Sequence, residues 1–108
     1  MPTERPDWLT EPCPAWCSGD HDGQQYPADR HHQSPPHWHP AVMQHRDHDG
    51  HHPTRFPTAT EFCVVAVRYV GERDTWIAIA TETQQLEFSH ENAKRLHAEL
   101  DGLLRRMA

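Results

Sequence analysis

Basic residues are sparse in this 108-residue chain: ten Lys and Arg stand against sixteen Asp and Glu, for a formal net charge of -6 with neutral histidine. Nowhere do more than two of them adjoin. Binding that rests on phosphate neutralisation needs a basic cluster, so nucleic acid is disfavoured as a partner. Also missing is any run of 18 apolar residues, which argues against a membrane-spanning helix. The opening MPTERPDWLTEPCPAW lacks a basic stretch followed by an apolar one, so we expect no secretory signal and a cytoplasmic setting. Cysteine is scarce too, at three residues. In a reducing compartment two closely spaced cysteines point to metal ligation or redox chemistry before a structural disulfide. No Ser-His-Asp ordering, Gly-rich phosphate loop or paired carboxylates in a recognisable arrangement occurs, so catalysis has no support.

What the chain does have is divided unevenly. All ten prolines fall between Pro2 and Pro57, nine of the eleven histidines fall between His21 and His52, and β-branched residues gather after Thr58. We expect one structural domain in two compositional halves. Residues 1–59 form a Pro/His-rich segment with a metal knuckle at 13–32 and a long loop at 33–59, and residues 60–108 form a β-β-β-α unit. A small domain with so much irregular chain needs a staple, and the first half supplies the residues for one.

In the second half, FCVVAVRYV (62–70) is a β-branched and aromatic run that reads as a strand. Gly71–Asp74 supplies a turn into TWIAIAT (75–81), and QLEFS (85–89) alternates as a shorter third strand. Ser89 is a good N-cap with Glu91 in the first turn, so a helix is expected from there. Along it Ala93, Leu96, Leu100, Leu103 and Met107 recur at helical spacing and make one stripe. The expected fold is α+β: a three-stranded antiparallel meander with one C-terminal amphipathic helix over one face, preceded by an irregular Cys/His zinc knuckle. Both faces of the first strand are apolar, so the other face calls for the knuckle or a second copy of the chain.

The knuckle is Cys13-Pro-Ala-Trp-Cys17-Ser-Gly-Asp-His21, with His31 and His32 following. Two thiolates and two imidazoles satisfy the tetrahedral preference of zinc, and structural zinc sites fill all four positions from protein. Cys13, Cys17 and His21 are the expected ligands, with His31 or His32 as the fourth. Pro14 stiffens the turn between the cysteines, Gly19 lets the chain bend back, and Trp16 can shield the sulfurs. Cys63 reads as a small buried hydrophobe.

The stretch CPAWCSGDHDG, the His pair and the terminal SHENAKRLHAELDGLL together resemble a family of small actinobacterial domains of unknown function. Its members open with CPxWC, a histidine four residues on and another about ten later, and close with a helix of the pattern L-(S/T)-x-x-E-A-x-x-L-x-x-x-L. The resemblance covers 12–32 and 85–107. It implies that Cys13, Cys17, His21 and one of His31 or His32 form the head, and it carries no activity over.

The His-rich middle, with His37, His39, His45, His48, His51 and His52, lies outside that family pattern. It suggests a rival function in metal handling, binding zinc, nickel or copper through the loop at 37–52. A further rival is a small zinc enzyme with three protein ligands and an open position beside Asp20, Asp22 or Asp29. The reading favoured by the residues is a zinc-stabilised interaction or regulatory module that meets a protein partner or forms a homodimer.

Overall fold

The computed structural model describes residues 5–48 and 53–108. After a short 3-10 turn at Pro27–Asp29 come five strands and one helix: β1 (His31–Gln33), β2 (His39–His48), β3 (Pro53–Tyr69), β4 (Trp76–Thr81), β5 (Gln85–Ser89) and α1 (His90–Met107). The class is α+β, an antiparallel sheet with a C-terminal helix and a Cys/His cluster ahead of it. None of the described helices is long and apolar enough to cross a membrane.

The 17-residue β3 is the spine of the sheet. Val67 sits between Gln33 and Trp76, and Phe62 sits between His39 and Thr81. Strands β1 and β2 therefore share one edge of β3 in succession, while β4 and then β5 extend the other. Pro35 and Pro36 interrupt that shared edge, since neither can donate to a ladder. Ser34 bridges the gap: its N–H donates to the Ala66 carbonyl at 3.0 Å, and its Oγ accepts from the Ala66 N–H at 2.8 Å.

Two expectations need correction. The stretch 33–59 is not a long loop: it contributes the end of β1, all of β2 and the first part of β3, so the sheet has five strands rather than three. Its sequence hid this because Pro40 and Pro57 sit inside the strands, where period-two alternation is weak. A two-stranded ribbon has open edges on both sides, and a proline fits there because its missing donor can face outward. Part of the His-rich segment, residues 49–52, lies outside the described residues.

The second correction concerns the helix. It begins as expected, with Ser89 Oγ accepting from the Asn92 N–H at 3.1 Å. Ser89→Ala should cost about 1 kcal/mol, readable as a melting temperature lower by about 4 °C. Its apolar stripe, however, is covered only at its start: Ala93 and Leu96 are half-buried, whereas Leu100, Leu103 and Met107 are exposed.

Directly opposed residues share a face, so the register sorts the sheet. Cys63, Val65 and Val67 lie with Ala80, Ala78 and Trp76, and this face holds the buried cluster of Cys63, Val65, Val67 and Ala78. Cys63 is thus the small core residue its composition suggested. On the same face the Tyr69 hydroxyl donates to Glu87 at 2.7 Å. That bond, then burial, pushes the phenol up to about 12, so Tyr69 stays a donor through ordinary pH. The opposite face carries Val64 and Leu86, 50% and 60% exposed.

Candidate metal centre

The head of the chain folds back on itself by short-range bonds its sequence encodes. Pro14 holds the first turn, in which the Cys17 N–H donates to the Pro14 carbonyl at 3.0 Å and brings the cysteines onto one side. Gly19 then takes a positive φ of 81°, a conformation that costs side-chain-bearing residues. The chain reverses there and delivers His21. A bond from the Ser18 N–H to the Gln33 carbonyl, 2.8 Å, pins the knuckle to β1.

His31 and His32 are adjacent in a strand, so they point to opposite faces. His31 pairs in register with Tyr69, packs its ring 6.0 Å from that phenol, and binds the Asp29 carbonyl through Nδ1 at 2.7 Å. His32 pairs with Arg68 and is 0% exposed. The strand thereby separates the two histidines the sequence left open, placing His32 with the knuckle and His31 away from it.

Donor atoms of Cys13, Cys17, His21 and His32 all lie within 4.8 Å of one another, close enough to hold a metal ion. His21 Nε2 stands 3.5 Å from Cys13 Sγ and 3.8 Å from Cys17 Sγ. A tetrahedral ion with bonds of ~2.3 Å to sulfur and ~2.0 Å to nitrogen sets such atoms about 3.5 Å apart, so the spacing suits a shared ion. Burial, and after it the sulfur of Cys17, push the Cys13 thiol above its ordinary value. Two thiolates this close call for a cation between them.

Each imidazole has its second nitrogen anchored. His21 Nδ1 bonds the side-chain oxygen of the buried Gln24 at 3.1 Å, and that oxygen also accepts from the His31 N–H at 3.0 Å. His32 Nε2 donates to Glu11 at 2.8 Å. Its Nδ1 is buried without any hydrogen-bond partner. A buried nitrogen with a free lone pair is costly unless something accepts it, and a metal ion would.

Glu11 does more than orient His32. Its second oxygen accepts from the Gly71 N–H at 2.7 Å, and Arg68 lies 3.4 Å from the first. The His32 bond, then the Gly71 N–H, hold its carboxyl below the usual value. One side chain therefore joins the N-terminal arm, the fourth candidate ligand and the β3–β4 turn. Above the knuckle the Trp8 ring stands edge-on to His21 at 5.7 Å and is capped by the Arg30 guanidinium, 4.5 Å from the ring centre. Trp16 borders a cleft of about 780 Å³ with Ala66, Arg73 and Trp76.

Sequence reasoning missed Glu11 and Gln24. The signal was available, since histidine ligands regularly pass their second N–H to a carboxylate or carbonyl, and both residues flank the motif. Asp20, Asp22 and Asp29 do not join the cluster, which is the only such group among the described residues. His37, His39 and His45 make none; His39 and His45 pack instead against Phe62 and Phe56.

No curated protein and no solved structure matches the chain. A family model does match, over residues 1–108, and the chain belongs to the family described as Domain of unknown function (DUF6907).

Proposed function

We propose that this protein is a zinc-stabilised, non-catalytic module whose work is interaction with other protein. The observation that carries the reading is the pairing of four convergent donors, Cys13, Cys17, His21 and His32, with an anchored second nitrogen on each imidazole. Two thiolates and two imidazoles are a structural zinc set, and the ion would take Nε2 of His21 and Nδ1 of His32. Four protein donors leave no position for a water or substrate, which favours a scaffold over a zinc enzyme. Stabilisation is also what the chain needs. Its buried apolar residues number five, Leu9, Cys63, Val65, Val67 and Ala78 among those described, and Leu9 comes from the arm itself.

Elemental analysis of the purified chain is expected to give one zinc per molecule. Replacement by cobalt should produce the visible absorption of a tetrahedral sulfur and nitrogen site. Failure to retain zinc after loading and desalting would sink the proposal. Several weak nickel or copper equivalents removed by deleting 37–52, with no tight zinc, would favour metal handling instead.

A further inference from the structure

We infer that the hollow between Tyr69 and Trp76 binds a small organic cation, a methylated ammonium of the choline kind, against two aromatic rings and two carboxylates. This goes beyond the interaction reading and rests on the sheet, whichever metal the knuckle holds.

The hollow has a volume of about 380 Å³, and its lining is Tyr69, Glu72, Trp76 and Glu87. The register of the sheet builds it. Trp76 stands opposite Val67 and Glu87 opposite Ala78, while Tyr69 follows Val67 by two residues along β3, so all three share the face that carries the buried cluster. Ala78 is short enough to let Glu87 reach from β5 across β4 to the Tyr69 hydroxyl, which donates to it at 2.7 Å. Glu72 enters from the turn after β3, where its N–H donates to the Tyr69 carbonyl at 3.0 Å. Accepting from a neutral phenol leaves Glu87 its full negative charge, and among the described residues neither glutamate has an ion-pair partner. After the hydrogen bond and burial, the charges of Glu87 and Glu72 both act to hold the proton on Tyr69. A second hollow of about 300 Å³ shares Tyr69 and Glu87 and adds Asp29 and His31, again without lysine or arginine.

The make-up of the lining selects the kind of cation. Calcium and magnesium take about six or more oxygens at once, whereas two of the four walls here are aromatic rings. A primary ammonium brings three N–H donors and needs an acceptor for each, and one of the two carboxylates already receives the phenol. A methylated ammonium has no such demand. It spreads its charge over methyl groups that pack on the faces of tryptophan and tyrosine, and nearby carboxylates add attraction without having to ligate it. The volume suits a small molecule. Arg73, the nearest guanidinium along the chain, borders the larger cleft with Trp16 and is absent from this lining.

Calorimetric titration of the full chain with choline and with tetramethylammonium tests this, with proton NMR to place the methyl groups against the rings. The expected dissociation constant is about 0.1 to 1 mM for choline, as suits so small a ligand. The isosteric alcohol with a tert-butyl group in place of trimethylammonium should bind about 10-fold more weakly, because it keeps the shape and loses the charge. Trp76→Ala should weaken choline binding about 10-fold. Should that variant not fold, Glu72→Gln decides the matter, since Glu72 is exposed in a turn and its loss of charge should weaken binding about 3- to 5-fold. No binding at ~10 mM ligand, equal affinity for the tert-butyl alcohol, displacement by potassium or magnesium at the same concentration, or full affinity in the Glu72→Gln variant would each overturn the inference. So would uptake of a trimethyllysine peptide by a chain that ignores free choline.

Discussion

Removal of the metal with a strong chelator is expected to lower the melting temperature of the full chain by at least about 20 °C. The size follows from what the ion replaces. Metal-nucleated small folds draw on the order of 10 kcal/mol from zinc at neutral pH, and about 1 kcal/mol moves a domain of this size by about 4 °C. Here the ion would close a segment reaching from Cys13 to His32, across which no disulfide runs. With the four donors released, the arm carrying Trp8, Leu9 and Glu11 loses the surface it covers. Circular dichroism melts with and without chelator, followed by zinc readdition, check this. Overlapping melts would refute a structural role for the metal.

Two neighbouring histidines should behave in opposite ways. His32→Ala removes a candidate ligand that is fully buried and leaves a cavity in its place, so zinc affinity should fall by more than about 100-fold. His31→Ala should leave zinc binding unchanged, because the ring lies on the other face of β1 against Tyr69. Between them stands Glu11→Gln, which keeps the shape and removes the charge that receives the His32 N–H; a loss of about 10- to 100-fold is expected. The same carboxylate has a pH signature. Its folded value is lowered, so its stabilisation is complete above the ordinary 4.5 and vanishes as the pH falls through the lower folded value. Glu11→Gln should therefore flatten the acid limb of stability. Competition titrations with a zinc indicator and denaturant midpoints at descending pH provide both readings, and equal zinc affinities for the His31 and His32 variants would contradict the geometry.

Much of this architecture is written in local signals. The β-branched run from Phe62, the turn at Gly71, the alternation of QLEFS and the Ser89 cap each specify their element without outside help, and β3, β4, β5 and α1 follow them. The cluster was legible for the same reason, since Cys13, Cys17 and His21 lie within one short turn. The choice of His32 over His31 was not, because it depends on strand direction and on pairing with Arg68, far along the chain. The β2–β3 ribbon was missed because its prolines break the pattern that marks a strand, and nothing local says that an edge will tolerate them. The exposed end of the helix was missed because a periodic stripe declares that it must be buried without saying by whom.

Three of the four donors are contiguous, while the last belongs to a strand that exists only once it pairs with the far end of β3. During synthesis the first three leave the ribosome well before Tyr69 does, so an ion caught early is held incompletely. The closing imidazole arrives only when the sheet has zipped, so tight retention of an ion would report that folding has finished. The knuckle would in this sense be a clasp that shuts last, its hold on an ion set by a strand whose partner is the stretch from Val67 to Tyr69.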